Sequence, residues 1–479
     1  MKRTMVKAAT SLVLIVIVAM GARIAFAWDQ ARKIQADVLA VVPFQNETGN
    51  IAYALAEGKG FSNVFRTETG PTAWLAPVYP LMVGAMFRIF GIFTARAFFA
   101  CVGLNILFSS AACVPIYFAG KRIWGLGVAS GAAWLWALFP NAILMPFEWI
   151  WDTSLAAFLG AALLWATLEL AESEQLGDWC AYGLLWGFAL MTNPALGALL
   201  PFLLGWAAFR GRGGSRARWK RAALAAGVAV LCCVPWSIRN YSAFHRFIPL
   251  RSNLPFELWL GNNDIFDEHA RNGRRVITRT EEARRYAQVG ETAYMREKWL
   301  LASSFMETHP GLELRLMGRK FVDFWLGTEA PVKNFRETDS WLIRGILLVS
   351  FLTGIGAVGG IVALGMREKK ITQRRRERGG NAESDEDGAR ELERGGWVFP
   401  LAVFPVIFPC LYYVTHADLR YRQPIDPVVC LLTAMAVAAA LELFGAKWNQ
   451  GAGKGRTGAT MHSGHPQKDD PTRRGGAAR

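Results

Sequence analysis

Cysteine is scarce in this chain: seven in 479 residues, at positions 101, 113, 180, 232, 233, 410 and 430, all inside apolar segments. With none in the polar stretches between those segments, no disulfide framework is implied. There is no Cys-x-x-Cys pair and no histidine at ligand spacing, which argues against a structural zinc site. Charge is sparse as well. Asp, Glu, Lys and Arg make up 19% of the residues against 52% hydrophobic side chains, and mean hydropathy is +0.21. A soluble fold of that composition would expose too much apolar surface.

The charge that is present leans one way, to a net +15. Such an excess can mark a nucleic-acid binder, but here the basic residues gather in short loops and in the tail, as the positive-inside rule requires. Nucleic acid is not an expected partner. The 19 Trp include many near the ends of apolar segments, where an amphipathic ring favours the membrane interface.

About eleven apolar segments approach the roughly 20 residues that cross a bilayer. The first, near 8–27, follows Met1-Lys2-Arg3 and ends in Ala25-Phe26-Ala27, a stretch like a signal-peptidase site; it is read as an uncleaved span. Further candidates lie near 77–95, 97–119, 124–146, 152–171, 179–192, 194–209, 221–238, 341–365, 397–416 and 426–445. Residues 28–76 form a first outside loop and 239–340 a second, larger one. The expected class is an all-α polytopic membrane protein of about 10–11 spans, with short helices in both loops.

Arg210 to Arg221 carries six cations and no acid, which sets that loop in the cytoplasm. Residues 367–394, with nine cations and eight acids, read as a disordered cytoplasmic linker, and 446–479 as a disordered cytoplasmic tail. The expected organisation is a membrane bundle over 1–238, the outside loop 239–340, and closing spans over 341–445. With both termini inside, the number of crossings must be even. Either 77–95 or one of the pair around Asn193-Pro194 is therefore re-entrant or broken, as Pro and Gly there allow.

Four groups of residues could carry chemistry. In the first loop, Glu47 precedes a stretch with Ile51, Ala52, Leu55 and Ala56 at helical spacing, expected to lie on the membrane surface. Its carboxylate is either a helix cap and dipole partner or a catalytic group. The second group, Glu148 and Asp152, lies four residues apart among Trp149 and Trp151 and would share a helix face and a cavity, with Asp152 also a natural cap for Thr153. Third, Arg420, Tyr421 and Arg422 follow His416 to Leu419 at an outside membrane edge. Guanidinium groups there suit a lipid phosphate, against the alternative of interfacial snorkelling. Fourth, Arg239, after Pro235-Trp236, is placed to join such a clamp or to pack on a loop. The other histidines (His245, His269 and His309) read as loop surface.

Taken together, these motifs resemble the bacterial members of the dolichyl-phosphate-mannose–protein mannosyltransferase-like group, glycosyltransferase family 39, with its aminoarabinose transferase relatives. The pattern is an acid (Glu47) ahead of Ile51-Ala52, then Gly58-Lys59-Gly60-Phe61-Ser62, Pro71 to Trp74, and Pro77-Val78-Tyr79-Pro80. It continues with Pro235-Trp236, Arg239-Asn240, Gly261-Asn262-Asn263 and Arg420-Tyr421-Arg422, over about residues 1–445. The resemblance implies a GT-C-type helical bundle whose outside loops form a cavity at the bilayer edge. It implies transfer of a sugar from a polyprenyl-phosphate donor outside the cytoplasm, generally with inversion. Glu47 would be the base or a metal-associated carboxylate, and Arg420, Tyr421, Arg422 and Arg239 would hold the phosphate. Lys59, Tyr79, Glu148 and Asp152 would line the cavity. The family often has Asp, sometimes an acid pair, where this chain has a single Glu between Asn46 and Thr48. A divalent metal is thus an open expectation. The acceptor is a hydroxyl or amine of protein, lipid or polysaccharide, and the setting a bacterial inner membrane with the site facing outward. A membrane transporter or lipid flippase without bond chemistry is the alternative, although charges inside the spans are few. A ligase using a lipid diphosphate is a third reading.

Overall fold

The computed structural model describes residues 10–65, 67–263, 280–327, 340–377 and 396–457. Among these there is no strand beyond one isolated bridge between Ser62 and Pro71. The protein is all-helical and polytopic. Six helices are long and apolar enough to cross a membrane: Leu12–Ala31, Ala95–Ile123, Thr153–Leu170, Ser215–Phe244, Gly345–Lys370 and Asp426–Phe444. A seventh crossing is available if Leu126–Ala137 and Pro140–Glu148, bent by 40° where Pro140 opens the second helix, act as one span. Three shorter apolar helices, Val78–Phe90, Pro194–Arg210 and Val398–Val414, complete the set. The chain divides into two compact units, Met1–Ala436 and Val437–Arg479.

Both alternatives for the irregular segment are short or interrupted. The segment expected over 77–95 is helical only from Val78 to Phe90, 13 residues, and stops at Gly91, whose φ of 94° an L side chain rarely adopts. At Asn193-Pro194 the preceding helix ends at Thr192. Asn193 then caps a 3₁₀ turn with its own Oδ1, 3.1 Å from the Ala195 amide. Pro194 has no amide proton to continue the ladder.

The first eleven positions of the linker expected over 367–394 are helical instead, as the end of the Ser340–Glu377 helix. Residues 378–394 lie outside the described residues. The tail expected from 446 likewise starts as the continuation of a helix, to Thr457; the rest of it lies outside the described residues. So does His269.

Short elements between the long helices fix the geometry that matters. The Glu47–Ala56 helix lies against Val78–Phe90 and buries one side of itself in the protein: Ile51, Ala52 and Ala54 are fully enclosed. Its start is pinned from below. Phe44 is buried with its ring 4.7 Å from that of Phe87, and a Cβ on Gly49 would come 2.0 Å from the Phe44 carbonyl oxygen. Only glycine permits that approach. Burying one phenylalanine contributes about 1.5–3 kcal/mol, so three residues before Glu47 the chain has little freedom. The long stretch between the Ser215–Phe244 and Ser340–Glu377 helices adds Leu254–Gly261, Thr280–Val289, Glu291–Thr308 and Pro310–Leu326.

Candidate functional site

Asn46 takes the capping role left open for Glu47 in the sequence. Its Oδ1 accepts from the Gly49 amide at 2.9 Å, and its Nδ2 donates to the Pro43 carbonyl at 2.9 Å. Glu47 is the first residue inside the helix, and its carboxyl group lines a cavity. Asp152 makes the same choice. It precedes the Thr153–Leu170 helix but forms no side-chain cap, and it lines the same cavity.

The far wall of this cavity comes from the turn after Cys410–Val414, with Thr415, His416, Arg420 and Tyr421. Asp418 caps the 3₁₀ turn Leu419–Arg422, its Oδ1 accepting from the Arg420 amide at 3.2 Å. The Arg420 guanidinium sits over Trp149 at 4.3 Å, Tyr421 at 5.0 Å and Trp151 at 5.6 Å. Its Nη2 donates to the Tyr421 hydroxyl at 3.1 Å. The two tryptophans that read as interface anchors are therefore the seat of this cation.

The further lining residues include Arg251, Glu257, Asn193 and Tyr412, none of which the sequence marked as a site residue. Glu257 faces His416 at 3.6 Å and accepts from Asn253 Nδ2 at 3.0 Å. The motif Gly261-Asn262 carries the signal that could have found it. A Cβ on Gly261 would come 1.7 Å from the Thr415 carbonyl oxygen, and Asn262 Nδ2 donates to the Val414 carbonyl at 2.8 Å. That helix end is clamped to the turn bearing His416, and Glu257 stands one turn earlier. Lys320 reinforces the clamp, donating to Asn262 Oδ1 at 2.6 Å, and burial lowers its ammonium to about 8.

The three carboxyl groups are tuned apart. Burial pushes Glu47 up to about 7; its own backbone amide and Arg420 pull the other way, and the charge of Glu257 adds to the rise. Burial also raises Asp152, to about 6, against Arg251, Asn193 and Arg420. For Glu257 burial alone would do the same, but His416, Arg251 and Arg420 outweigh it and hold that carboxylate below its ordinary value. Near neutral pH the cavity thus holds one firmly ionised acid and two poised to exchange protons.

Other expected residues lie elsewhere. Arg422 is fully buried and does not line the cavity. Its Nε pairs with Asp426 at 2.5 Å, Nη1 donates to the carbonyls of Trp325 (3.0 Å) and Ser350 (2.9 Å), and Nη2 to Thr353 Oγ1 at 3.0 Å. In a 3₁₀ turn, residues two apart cannot face one direction, so Arg420 and Arg422 part. Arg239 is spent on loop carbonyls, Thr72 at 2.7 Å and Phe61 at 2.5 Å, and stacks on Trp236 at 5.0 Å. Tyr79 is buried in the core with its hydroxyl on Asn105 Oδ1 at 2.9 Å. Lys59 forms an exposed pair with Glu68 at 2.8 Å. Glu148 ends its own helix, so it shares no helix face with Asp152 and is not among the lining residues.

Among the described residues no three His, Cys, Asp or Glu side chains come together closely enough to hold a metal ion. The donor set of this cavity does not fit one. The cavity measures about 60 Å³, room for a few waters and less than a sugar ring needs. A wider cavity of about 740 Å³ lies at the other end of the Thr153–Leu170 helix, among Glu169, Glu172, Glu174 and Asp178, and contains none of the expected residues. Two of its acids are paired with Arg122.

No curated protein matches the chain in sequence. Among solved structures, it is similar to the Archaeoglobus fulgidus oligosaccharyltransferase in complex with Zn and sulfate, at 15% identity and a TM-score of 0.48, over 90% of this chain and 49% of that one. It is also similar to the archaeal oligosaccharyltransferase AglB from Archaeoglobus fulgidus in complex with an inhibitory peptide and a dolichol-phosphate, at 13% identity and a TM-score of 0.49, over 92% and 51%. The chain spans about half the length of these proteins. Residues 74–238, which include Tyr79, Glu148, Asp152 and Asn193 but neither Glu47 nor Arg420, match the family model described as dolichyl-phosphate-mannose-protein mannosyltransferase.

Proposed function

We propose that this membrane protein is a glycosyltransferase, moving a sugar from a polyprenyl-phosphate donor to an acceptor on the extracytoplasmic side of a bacterial inner membrane. The observation that carries the reading is that Glu47, Asp152 and Arg420, from three distant parts of the chain, line one cavity. The family match over 74–238 supports the same class of chemistry.

In this reading the acceptor, a hydroxyl or amine of protein, lipid or polysaccharide, attacks the anomeric carbon. The bond from that carbon to the phosphate oxygen breaks, and the lipid phosphate leaves with the electron pair. Glu47 takes the proton of the acceptor. A base poised at about 7 is basic enough to accept it and ionised often enough to be ready at neutral pH. The departing phosphate gathers negative charge, which Arg420, Tyr421 and Arg251 would offset in a largely water-free site. Asp152 would orient a sugar hydroxyl, and Glu257, held by His416, Arg251 and Arg420, would keep those cations in place. Arg422 and Arg239 serve the scaffold in this version. The small volume means that a donor must part the walls to enter.

The test uses the protein reconstituted in lipid with polyprenyl-phosphate sugars labelled in the sugar. Transfer predicts loss of label from the lipid and its appearance in an added acceptor fraction. Movement of intact labelled lipid across sealed vesicles, with no cleavage, would instead support the transporter reading and end this one.

A further inference from the structure

Outside the cavity, one buried carboxylate draws the two outside loops together. Glu291 accepts four hydrogen bonds: from Thr72 Oγ1 at 2.5 Å, the Ala73 amide at 2.8 Å, Ser252 Oγ at 2.6 Å and the Tyr286 hydroxyl at 2.5 Å. It opens the Glu291–Thr308 helix, where the helix dipole favours an acid. The same junction is closed by the Ser252 amide donating to the Ala73 carbonyl at 2.8 Å. Four donors to one charged group leave little of its solvation demand unmet, so the burial is tolerated.

The donors adjoin the cavity wall. Ser252 sits between Arg251 and Asn253, and Ala73 lies two residues before Leu75; Arg251, Asn253 and Leu75 all line the cavity. Among the described residues the Arg251 guanidinium feels the charges of Asp152 and Glu257 but makes no direct hydrogen bond or ion-pair contact with them, so its reach into the cavity depends on the backbone that carries it. That backbone is tied down one residue away, at Ser252.

We infer that Glu291 is a positioning residue: it clasps the two outside loops so that Arg251 faces the phosphate of the donor. This rests on the transfer reading above, and specifically on an anion binding in the cavity. Glutamine at 291 keeps the size but loses the charge and half the acceptor capacity, so the Ser252 junction loosens and Arg251 with it.

The test measures affinity for farnesyl phosphate, a short polyprenyl monophosphate, in Glu291→Gln, Arg251→Gln and the double variant. It adds hydrogen–deuterium exchange over residues 71–76 and 250–254. Each single change is expected to weaken binding about tenfold, with the double no weaker than Arg251→Gln alone, because both act through one group. Exchange should rise in those two stretches and stay at wild-type levels in the Thr153–Leu170 helix. Wild-type affinity in Glu291→Gln, or losses that multiply in the double variant, would overturn the proposal. If Glu291→Gln does not fold, Thr72→Val and Ser252→Ala each remove one donor and must weaken binding in the same coupled way; unchanged affinity in both overturns it too. If Arg251→Gln itself binds farnesyl phosphate as the wild type does, the anion-binding reading of the cavity fails and takes the proposal with it. If only Glu291→Gln is silent, the positioning role alone falls.

Discussion

Arg422 and Asp426 form a fully buried ion pair, Nε to Oδ1 at 2.5 Å, only two residues from the Arg420 that faces the cavity. Neighbouring arginines with one apparent motif thus do different work. Removing one partner of a buried pair costs about 3–5 kcal/mol, since the other charge is left without compensation. Arg422→Ala should therefore lower the yield and melting temperature of the purified protein sharply, whereas Arg420→Ala should fold and lose donor affinity. Replacing both Arg422 and Asp426 with apolar residues of like volume should recover much of the stability. Thermal unfolding in detergent separates these outcomes.

The helix that presents Glu47 depends on Asn46. Asn46→Ala removes the bond to the Gly49 amide and should cost about 0.5–2 kcal/mol, while Asn46→Asp should stay close to wild type. An equal melting temperature for Asn46→Ala would show that the packing of Phe44 alone sets this turn.

Stability and activity should move in opposite directions with pH. Folding raises the Glu47 carboxyl from 4.5 to about 7, chiefly through burial. Below about pH 4 it is protonated whether folded or not, so the full contribution of the neutral form is present. Between about pH 4.5 and 7 the unfolded chain ionises while the partly buried carboxyl of the folded state does not, so the folded state loses up to about 3 kcal/mol relative to the unfolded chain by pH 7. Glu47→Gln should therefore melt higher than wild type at pH 8 and alike at pH 4. Transfer by the wild type should climb with pH through about 7 and then level off, as the base becomes ionised.

Gly261→Ala tests the clamp on the His416 turn. The added Cβ would meet the Thr415 carbonyl oxygen at 1.7 Å, which the backbone cannot yield without moving the wall of the cavity. A cost of about 1–3 kcal/mol or more is expected, with a fall in transfer beyond what the loss of folded protein explains. Wild-type kinetics in the folded fraction would show that this wall moves freely.

Much of the architecture was written in local patterns. Apolar run lengths gave the helical, many-span character but not the number of spans, since six helices, or seven with the bent pair, are long enough to cross a membrane among the described residues. The Pro and Gly near 77–95 and at Asn193-Pro194 marked segments that are short or interrupted. Glu47, Asp152, Arg420 and Tyr421 were readable because each stands at an expected membrane edge beside a recognisable motif. Arg251 and Glu257 were not, because each is an ordinary charged residue in a long loop whose folding depends on contacts with Thr72–Ala73 and Thr415, far away in sequence. The pairing of Arg420 with Arg422 misled for a related reason. Adjacency in sequence suggested one clamp, while a 3₁₀ turn aims the two side chains apart, and a buried acid four residues on captured the second. Glu148 and Asp152 parted similarly, because the helix that would have aligned them ends at Glu148.

The most direct measurement compares donor binding with sugar transfer in Glu47→Gln and Arg420→Ala, each against wild type, using a labelled polyprenyl-phosphate sugar in lipid. Glu47→Gln should bind the donor as well as the wild type does yet transfer the sugar about 10²–10⁴-fold more slowly, the usual contribution of a general base. Arg420→Ala should bind it poorly. Wild-type transfer rates in Glu47→Gln would contradict the assignment of this carboxylate as the base, and with it the mechanism built on the shared cavity.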